Sequence, residues 1–168
     1  MGKETTVSKM TTIYHGGTET VLHPKVDAGR PGLDFGCGFY TTKILTQAQK
    51  WADRASRQLS EHAVVNVYSF DEGKAQEEYR KLCFEAYDLE WLQFIVKCRK
   101  GFDPSDEYDY VEGGVANDRV VDTVEGFING TIDAEHALNE LSKYQPNHQI
   151  CFLNQSLVDK YVSFVSTL

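Results

Sequence analysis

Apolar and polar positions change period several times along the chain, and the changes mark its elements. Thr11–Tyr14, rich in β-branched and aromatic residues and stopped by Gly16-Gly17, predicts a short strand. Val21 to Gly38 has no periodicity but carries Pro24, Gly29, Pro31, Gly32, Gly36 and Gly38. An irregular stretch of that length in a small domain is usually functional. Phe39–Thr42 reads as extended. Ala48, Trp51, Ala52, Ala55 and Leu59 then recur at helical spacing, behind Thr46 as N-cap with Gln49 three residues on. Ala63–Phe70 predicts a second strand, ended by Asp71-Glu72-Gly73.

Lys74–Glu85 is ambiguous and reads as partly helical. Asp88 caps a predicted helix over Leu89–Cys98, with cations Lys97, Arg99 and Lys100 at the end where the dipole favours them. Tyr108–Val115 is extended, with a bend or bulge at Gly113-Gly114. Val120–Phe127 and Ala134–Lys143, the latter behind Asp133, read as short helices. Gln149–Leu153 predicts a strand, Gln155–Tyr161 one or two helical turns, and Val162–Val165 a last strand. Strands and helices do not alternate regularly, so a doubly wound parallel sheet does not fit. The pattern predicts one α+β domain over residues 1–168 with a mixed or antiparallel sheet and a frayed segment 1–10.

Composition narrows the function. The chain has 168 residues, with 25 acidic against 17 basic side chains and a net charge of -8. That balance disfavours a broad basic face for nucleic acid or an anionic membrane. No run of 18 apolar residues occurs, so no membrane span is expected, and residues 1–10 contain no apolar signal core. Cys37, Cys83, Cys98 and Cys151 form no CxxC pair and match no zinc spacing. The expectation is a cytoplasmic protein with reduced thiols and no metal site.

Three places concentrate candidate chemistry. His15 stands at a strand end before Gly16, where a glycine lets a ligand approach the backbone; it also reads as a core histidine before a turn. Asp34 to Thr42 holds a glycine pair and Tyr40, a flat ring able to stack on a ligand or to pack inside. Gly36-Cys37-Gly38 is half of a dinucleotide fingerprint, but no strand precedes it and no helix directly follows. Cys37 is either a structural thiol or a nucleophile served by His15 or His148. Third, alternation puts Gln149, Cys151 and Leu153 on one strand face and His148, Ile150 and Phe152 on the other. An inward amide must find partners, and one facing a cleft can hold a ligand hydroxyl. The acidic run Asp103, Asp106, Glu107, Asp109 and Glu112 reads as solvated turn surface. Asn117-Asp118-Arg119 either lines a cleft or caps the next helix.

In their order, His15-Gly16, Gly36-Cys37-Gly38-Phe39-Tyr40 and Gln149 resemble the ADP-ribosyltransferase superfamily, in its diphtheria-toxin and poly-ADP-ribose-polymerase branch. Nearly the whole chain looks like an uncharacterised bacterial family within it. The likeness also covers Thr41-Thr42, Gln47-Ala48, Trp51-Ala52, Asp109 to Asp118 and Gln149 to Leu157. It implies a split, mostly antiparallel β-sandwich with flanking helices around an NAD cleft. It further implies that His15 bonds the nicotinamide-side ribose, the Gly16 backbone holds the carboxamide, and Tyr40 stacks on the nicotinamide. Asp34, Gly38, Thr41, Asn117 and Asp118 join as NAD-binding positions.

Gln149 falls where that superfamily places a catalytic glutamate. A glutamine carries no charge and takes no proton, a loss worth on the order of 10²–10⁴ in rate if no other group serves. The resemblance therefore implies a mono-ADP-ribosyltransferase using NAD as substrate, with an unknown acceptor for which a protein side chain is preferred. The alternative it leaves is a catalytically silent module that binds NAD, ADP-ribose or a protein.

Overall fold

The computed structural model describes residues 7–117 and 120–168. Among them the strands are β1 (Met10–Gly17), β2 (Phe39–Thr41), β3 (Val64–Asp71), β4 (Lys81–Cys83), β5 (Tyr110–Gly113), β6 (Gln149–Phe152) and β7 (Val162–Thr167). The helices are α1 (Leu45–Leu59), α2 (Glu72–Glu78), α3 (Leu89–Arg99), α4 (Val121–Ile128), α5 (Ala134–Leu141) and α6 (Gln155–Tyr161). They build two sheets, ordered β1-β3-β7 and β2-β6-β5-β4. All pairs are antiparallel except β4 with β5. The chain is thus α+β with two mostly antiparallel sheets, and an isolated bridge from Tyr14 to Thr42 ties one sheet to the other.

Residue alternation explains the layering. On the inner faces Ile13, Tyr68 and Phe70 of the first sheet meet Phe39, Tyr110, Ile150 and Phe152 of the second, with Leu157 and Val158 of α6 closing one end. Their opposite neighbours, Val111 and Cys151, face a second core built with Trp91, Leu92 and Ile95 of α3, Val124 of α4 and Leu141 of α5. Every residue of β6 is therefore buried, because both of its faces are covered. On the outer side of the first sheet, Ala48 and Ala52 of α1 lie on Val65.

Several local expectations change. Segment 7–10 is not frayed: the Ser8 hydroxyl donates to Asp71 at 2.8 Å, Glu72 N–H donates to the Lys9 carbonyl, and Met10 opens β1. Met1–Thr6 lie outside the described residues. Thr46 is not an N-cap; α1 starts after Ile44, whose N–H is taken by the Thr42 hydroxyl at 3.1 Å. The ambiguous Lys74–Glu85 divides into α2 and β4, with Asp71 capping α2 through the Lys74 N–H. No bulge interrupts β5. Gly113 and Gly114 instead make room for rings, since a Cβ on Gly114 would stand 2.3 Å from Tyr87. Asp88 and Asp133 cap α3 and α5 as predicted, accepting from Trp91 and His136 N–H groups.

The long irregular stretch is held at intervals rather than loose. Asn66 of β3 accepts from Val21 N–H and donates to the Glu19 carbonyl, and the Tyr68 hydroxyl donates to Val21 O. Gln155 accepts from Val26 N–H and donates to Pro24 O. A Cβ on Gly38 would lie 2.5 Å from both Cys151 Sγ and Phe152 O, so the loop returns flush against β6 only because residue 38 lacks one. These anchors fix the loop as one wall of a cavity.

Candidate functional site

A cavity of about 790 Å3 opens between this loop, α1 and the rim where the two sheets meet. It falls within the range of small-molecule sites. His15 and Gly16 reach it from β1, Tyr40 from β2, Gln149 from β6, and Asp34 and Gly38 from the loop. Six of the positions singled out in the sequence thus line one space. Thr41 does not: it is fully buried, on the opposite strand face from Tyr40, with its hydroxyl donating to Ile150 O. Asn117 lines a separate recess of about 460 Å3 with Lys50, Tyr87 and Asn147. Asp118 lies outside the described residues. Val120 precedes α4 without a side-chain cap, and the Asn117 backbone carbonyl takes its N–H.

The chemistry of each wall follows from its partners. His15 Nδ1 lies 2.7 Å from the Tyr40 carbonyl oxygen. A carbonyl only accepts, so Nδ1 carries the proton and Nε2 is left as a bare acceptor. Burial disfavours the imidazolium and lowers the His15 pKa below its usual value, against a smaller opposing pull from that carbonyl. The ring rests 4.7 Å from Phe39, centroid to centroid. His15 is therefore a neutral, oriented acceptor.

Tyr40 is fixed at its far end. Its hydroxyl donates to Gly36 O at 2.5 Å and accepts from Phe35 N–H at 3.0 Å. Burial above all pushes this phenol far up, so it stays protonated. With the hydroxyl committed, the ring face is what remains for a ligand. Gly36 can make this turn because its φ is +86°, a conformation that favours glycine.

Asp34 and Gln149 form a buried polar knot at the cavity wall. Arg99 donates through Nε and Nη2 to Asp34 Oδ1, at 3.0 and 2.7 Å. Ala116 N–H and Gln149 Nε2 donate to Oδ2, at 2.9 and 3.1 Å. Gln149 Nε2 also donates to Gly114 O at 3.1 Å. Arg99, read from the sequence as a helix-end cation, thus reaches across to neutralise a buried aspartate.

The sequence placed none of the cations in this cavity, reading Arg99 only as a helix-end charge. Lys25 and Arg30 on the loop, Arg54 on α1 and Arg99 all line it, although the chain as a whole is acidic. Trp51, expected on the packing face of α1, also lines it, with Ala55 and Leu59. The apolar stripe of α1 therefore divides: Ala48 and Ala52 face the sheet, while Trp51 and Ala55 face the cavity. The three-residue step from Trp51 to Arg54 was the available signal, since it puts a ring and a cation on one helix face.

Gly16 serves a second purpose. A Cβ there would meet Ala48 O at 2.1 Å and Ala52 N at 2.8 Å, so the missing side chain lets α1 sit directly on β1. Cys37 is a structural thiol, donating to Gly29 O at 3.1 Å, and it does not line the cavity.

The acidic run divides: Asp103, Asp106 and Glu107 are exposed around a turn, as the sequence predicts, whereas Asp109 and Glu112 enter two ionic clusters shielded from solvent. Asp109 accepts from Arg80 N, Nε and Nη2 and from Asn154 Nδ2. Glu112 faces Lys43 at 3.0 Å, Lys81 at 2.9 Å and His148 at 2.8 Å, and both lysines also approach the buried Glu72. Burial alone would raise the Glu112 carboxyl; hydrogen bonds from His148, Lys81 and Lys43 outweigh it and hold it well below the usual carboxylate range. His148 Nδ1 accepts from Lys43 N–H, so His148 is engaged here and does not serve Cys37.

Among the described residues no helix is long and apolar enough to cross a membrane. No curated protein and no solved structure matches the chain. Residues 11–164 match a family model described as protein of unknown function (DUF3990), a range that takes in strands of both sheets and every residue lining the cavity. The chain belongs to the DUF3990 family.

Proposed function

We propose that the cavity binds NAD and that the protein is an NAD-dependent mono-ADP-ribosyltransferase, transferring ADP-ribose to a protein side chain. One observation carries the reading: His15, Tyr40 and Gln149, the three positions of the superfamily resemblance, line a single cavity although they come from three strands of two sheets. The finer fold assignment, an ADP-ribosyltransferase-like split sandwich, is part of the same proposal.

The residues suit the task. Lys25 and Arg30 offer cations to a diphosphate. The bare Nε2 of His15 accepts from a ribose hydroxyl. The pinned Tyr40 ring gives the nicotinamide a flat platform, and such orientation lowers the barrier without chemistry by the side chain. In the reaction the bond from ribose C1 to the nicotinamide nitrogen breaks, its electron pair stays on nicotinamide, and the acceptor forms the new bond to C1 and releases its proton to water. Gln149 Oε1 points a carbonyl dipole at the positive charge that develops, a weaker substitute for a carboxylate. The second reading, a silent NAD- or ADP-ribose-binding module, draws on that same residue, because Gln149 removes no proton from an acceptor.

The test is incubation with NAD labelled on the ADP-ribose part, with and without cell lysate, following nicotinamide release and label transfer together. Transfer is expected, reduced by about 100-fold or more in His15→Ala, where the ribose loses its positioning group, and unchanged in Cys37→Ser. Calorimetric NAD binding with neither release nor transfer would establish the silent module. No binding would reject both.

A further inference from the structure

The groups behind Gln149 decide which end of its amide faces the cavity. Its nitrogen donates to Asp34 Oδ2 and to Gly114 O, both at 3.1 Å. Neither partner can donate: one is a carboxylate, the other a backbone carbonyl. Turning the amide over would set its oxygen against two acceptors. The orientation is therefore fixed, and Oε1, with no hydrogen-bond partner among the described residues, is the atom left to the cavity. Asp34 is 8% exposed and Gln149 3%, so water does little to relax the arrangement.

We infer that Asp34 is the positioning residue of Gln149, and that position 149 is built to hold an amide rather than a carboxylate. The negative charge of the site resides on Asp34, balanced by Arg99, and Gln149 offers the ligand an acceptor-only oxygen. That oxygen selects a ligand group that donates a hydrogen bond, such as a sugar hydroxyl; its assignment to the ribose of NAD rests on the function proposed above. An ionised glutamate at 149 would place one oxygen about 3 Å from Asp34 Oδ2, and two carboxylates so close cannot both remain charged. Asparagine at 34 has a single acceptor for donors on both sides, Arg99 on one and Ala116 with Gln149 on the other. It serves one side and releases the other.

The experiment is a thermal-denaturation cycle of wild type, Gln149→Glu, Asp34→Asn and the double variant from pH 5 to 8.5, joined to calorimetric titration with NAD. Gln149→Glu should melt about 5–10 °C below wild type at pH 8. The gap should close toward pH 5 as the pair takes up one proton, and Asp34→Asn in the same chain should restore at least half of it. A Gln149→Glu protein as stable as wild type at all pH values would overturn the inference. So would a loss that is independent of pH and not relieved by Asp34→Asn, since that is mere misfit. In the titrations, Asp34→Asn and Gln149→Ala should each weaken NAD by about tenfold, one oriented hydrogen bond; full affinity in Asp34→Asn would overturn the positioning role. If wild type binds no NAD, the nucleotide reading of the cavity falls and the melting cycle alone decides the pair. Should Asp34→Asn fail to fold, the pH dependence of Gln149→Glu against wild type still decides it.

Discussion

Gly16→Ala separates two reasons for a glycine at the cavity edge. The Cβ of an alanine would stand 2.1 Å from Ala48 O and 2.8 Å from Ala52 N, whereas ordinary contact begins at 3.4 Å. Opening the nearer contact from 2.1 to 3.4 Å requires α1 and β1 to part by about 1.3 Å. Both obstacles are backbone, so no rotamer change relieves them. A gap of 0.5–1 Å already forfeits roughly a quarter to a half of each dispersion contact, and the Ala48–Ala52–Val65 core would pay it. Overpacking typically costs about 1–3 kcal/mol, and this geometry belongs at the upper end. For a domain of this length about 3 kcal/mol lowers Tm by roughly 6–12 °C. The same parting moves Trp51 and Ala55, so NAD affinity should fall as well. Urea unfolding followed by tryptophan fluorescence gives the free energy, and Gly17→Ala is the control. There the added Cβ meets only the His15 ring, at 3.6 Å, an ordinary contact. A Gly16→Ala protein within 0.5 kcal/mol of wild type would refute the packing argument.

Two further outcomes follow from the titratable groups whose pKa the fold lowers. His15 has a folded-state pKa below its unfolded value, so the unfolded chain binds more protons between the two. Its stabilising effect is complete above about pH 6.5 and is lost as pH falls through the folded value, with a slope no steeper than about 1.4 kcal/mol per pH unit. Urea titrations of His15→Gln should lack that component, and an identical pH profile in the two proteins would contradict it. Glu112 is likewise depressed, so its stabilisation is present above the unfolded carboxyl value and disappears below it toward the folded one. Glu112→Gln should cost about 3 kcal/mol near neutrality, at the low end for breaking a buried pair, because Lys43 and Lys81 keep Glu72. It should also flatten the acid limb of the stability curve; urea midpoints from pH 2 to 7 measure both.

The strand and helix order was legible because it rests on period, and period survives without tertiary knowledge. Gln149–Leu153 is the clearest case: alternation alone predicted that Gln149 and Cys151 share a face opposite Ile150 and Phe152, and the two cores divide them that way. Asp88 and Asp133 were readable because a cap acts within three residues. What failed depended on distant partners. Asp109 and Glu112 look like turn surface until Arg80, Lys43, Lys81 and His148 arrive from other elements. Arg99 satisfies a helix dipole on paper, and nothing local ties it to Asp34, 65 residues away. Of the site, the strand-borne His15, Tyr40 and Gln149 were found together with Asp34. The loop and helix cations were not, since a lysine or arginine in an irregular stretch carries no periodic signal.

Lys25 and Arg30 give the cavity a cationic lining inside a molecule whose net charge is -8. A multiply charged anion approaching from afar feels the whole molecule and is turned back; within a Debye length, about 8–10 Å in ordinary buffer, it feels the lining and is drawn in. Added salt would therefore quicken its arrival while loosening its grip, so that capture and residence respond to ionic strength with opposite signs.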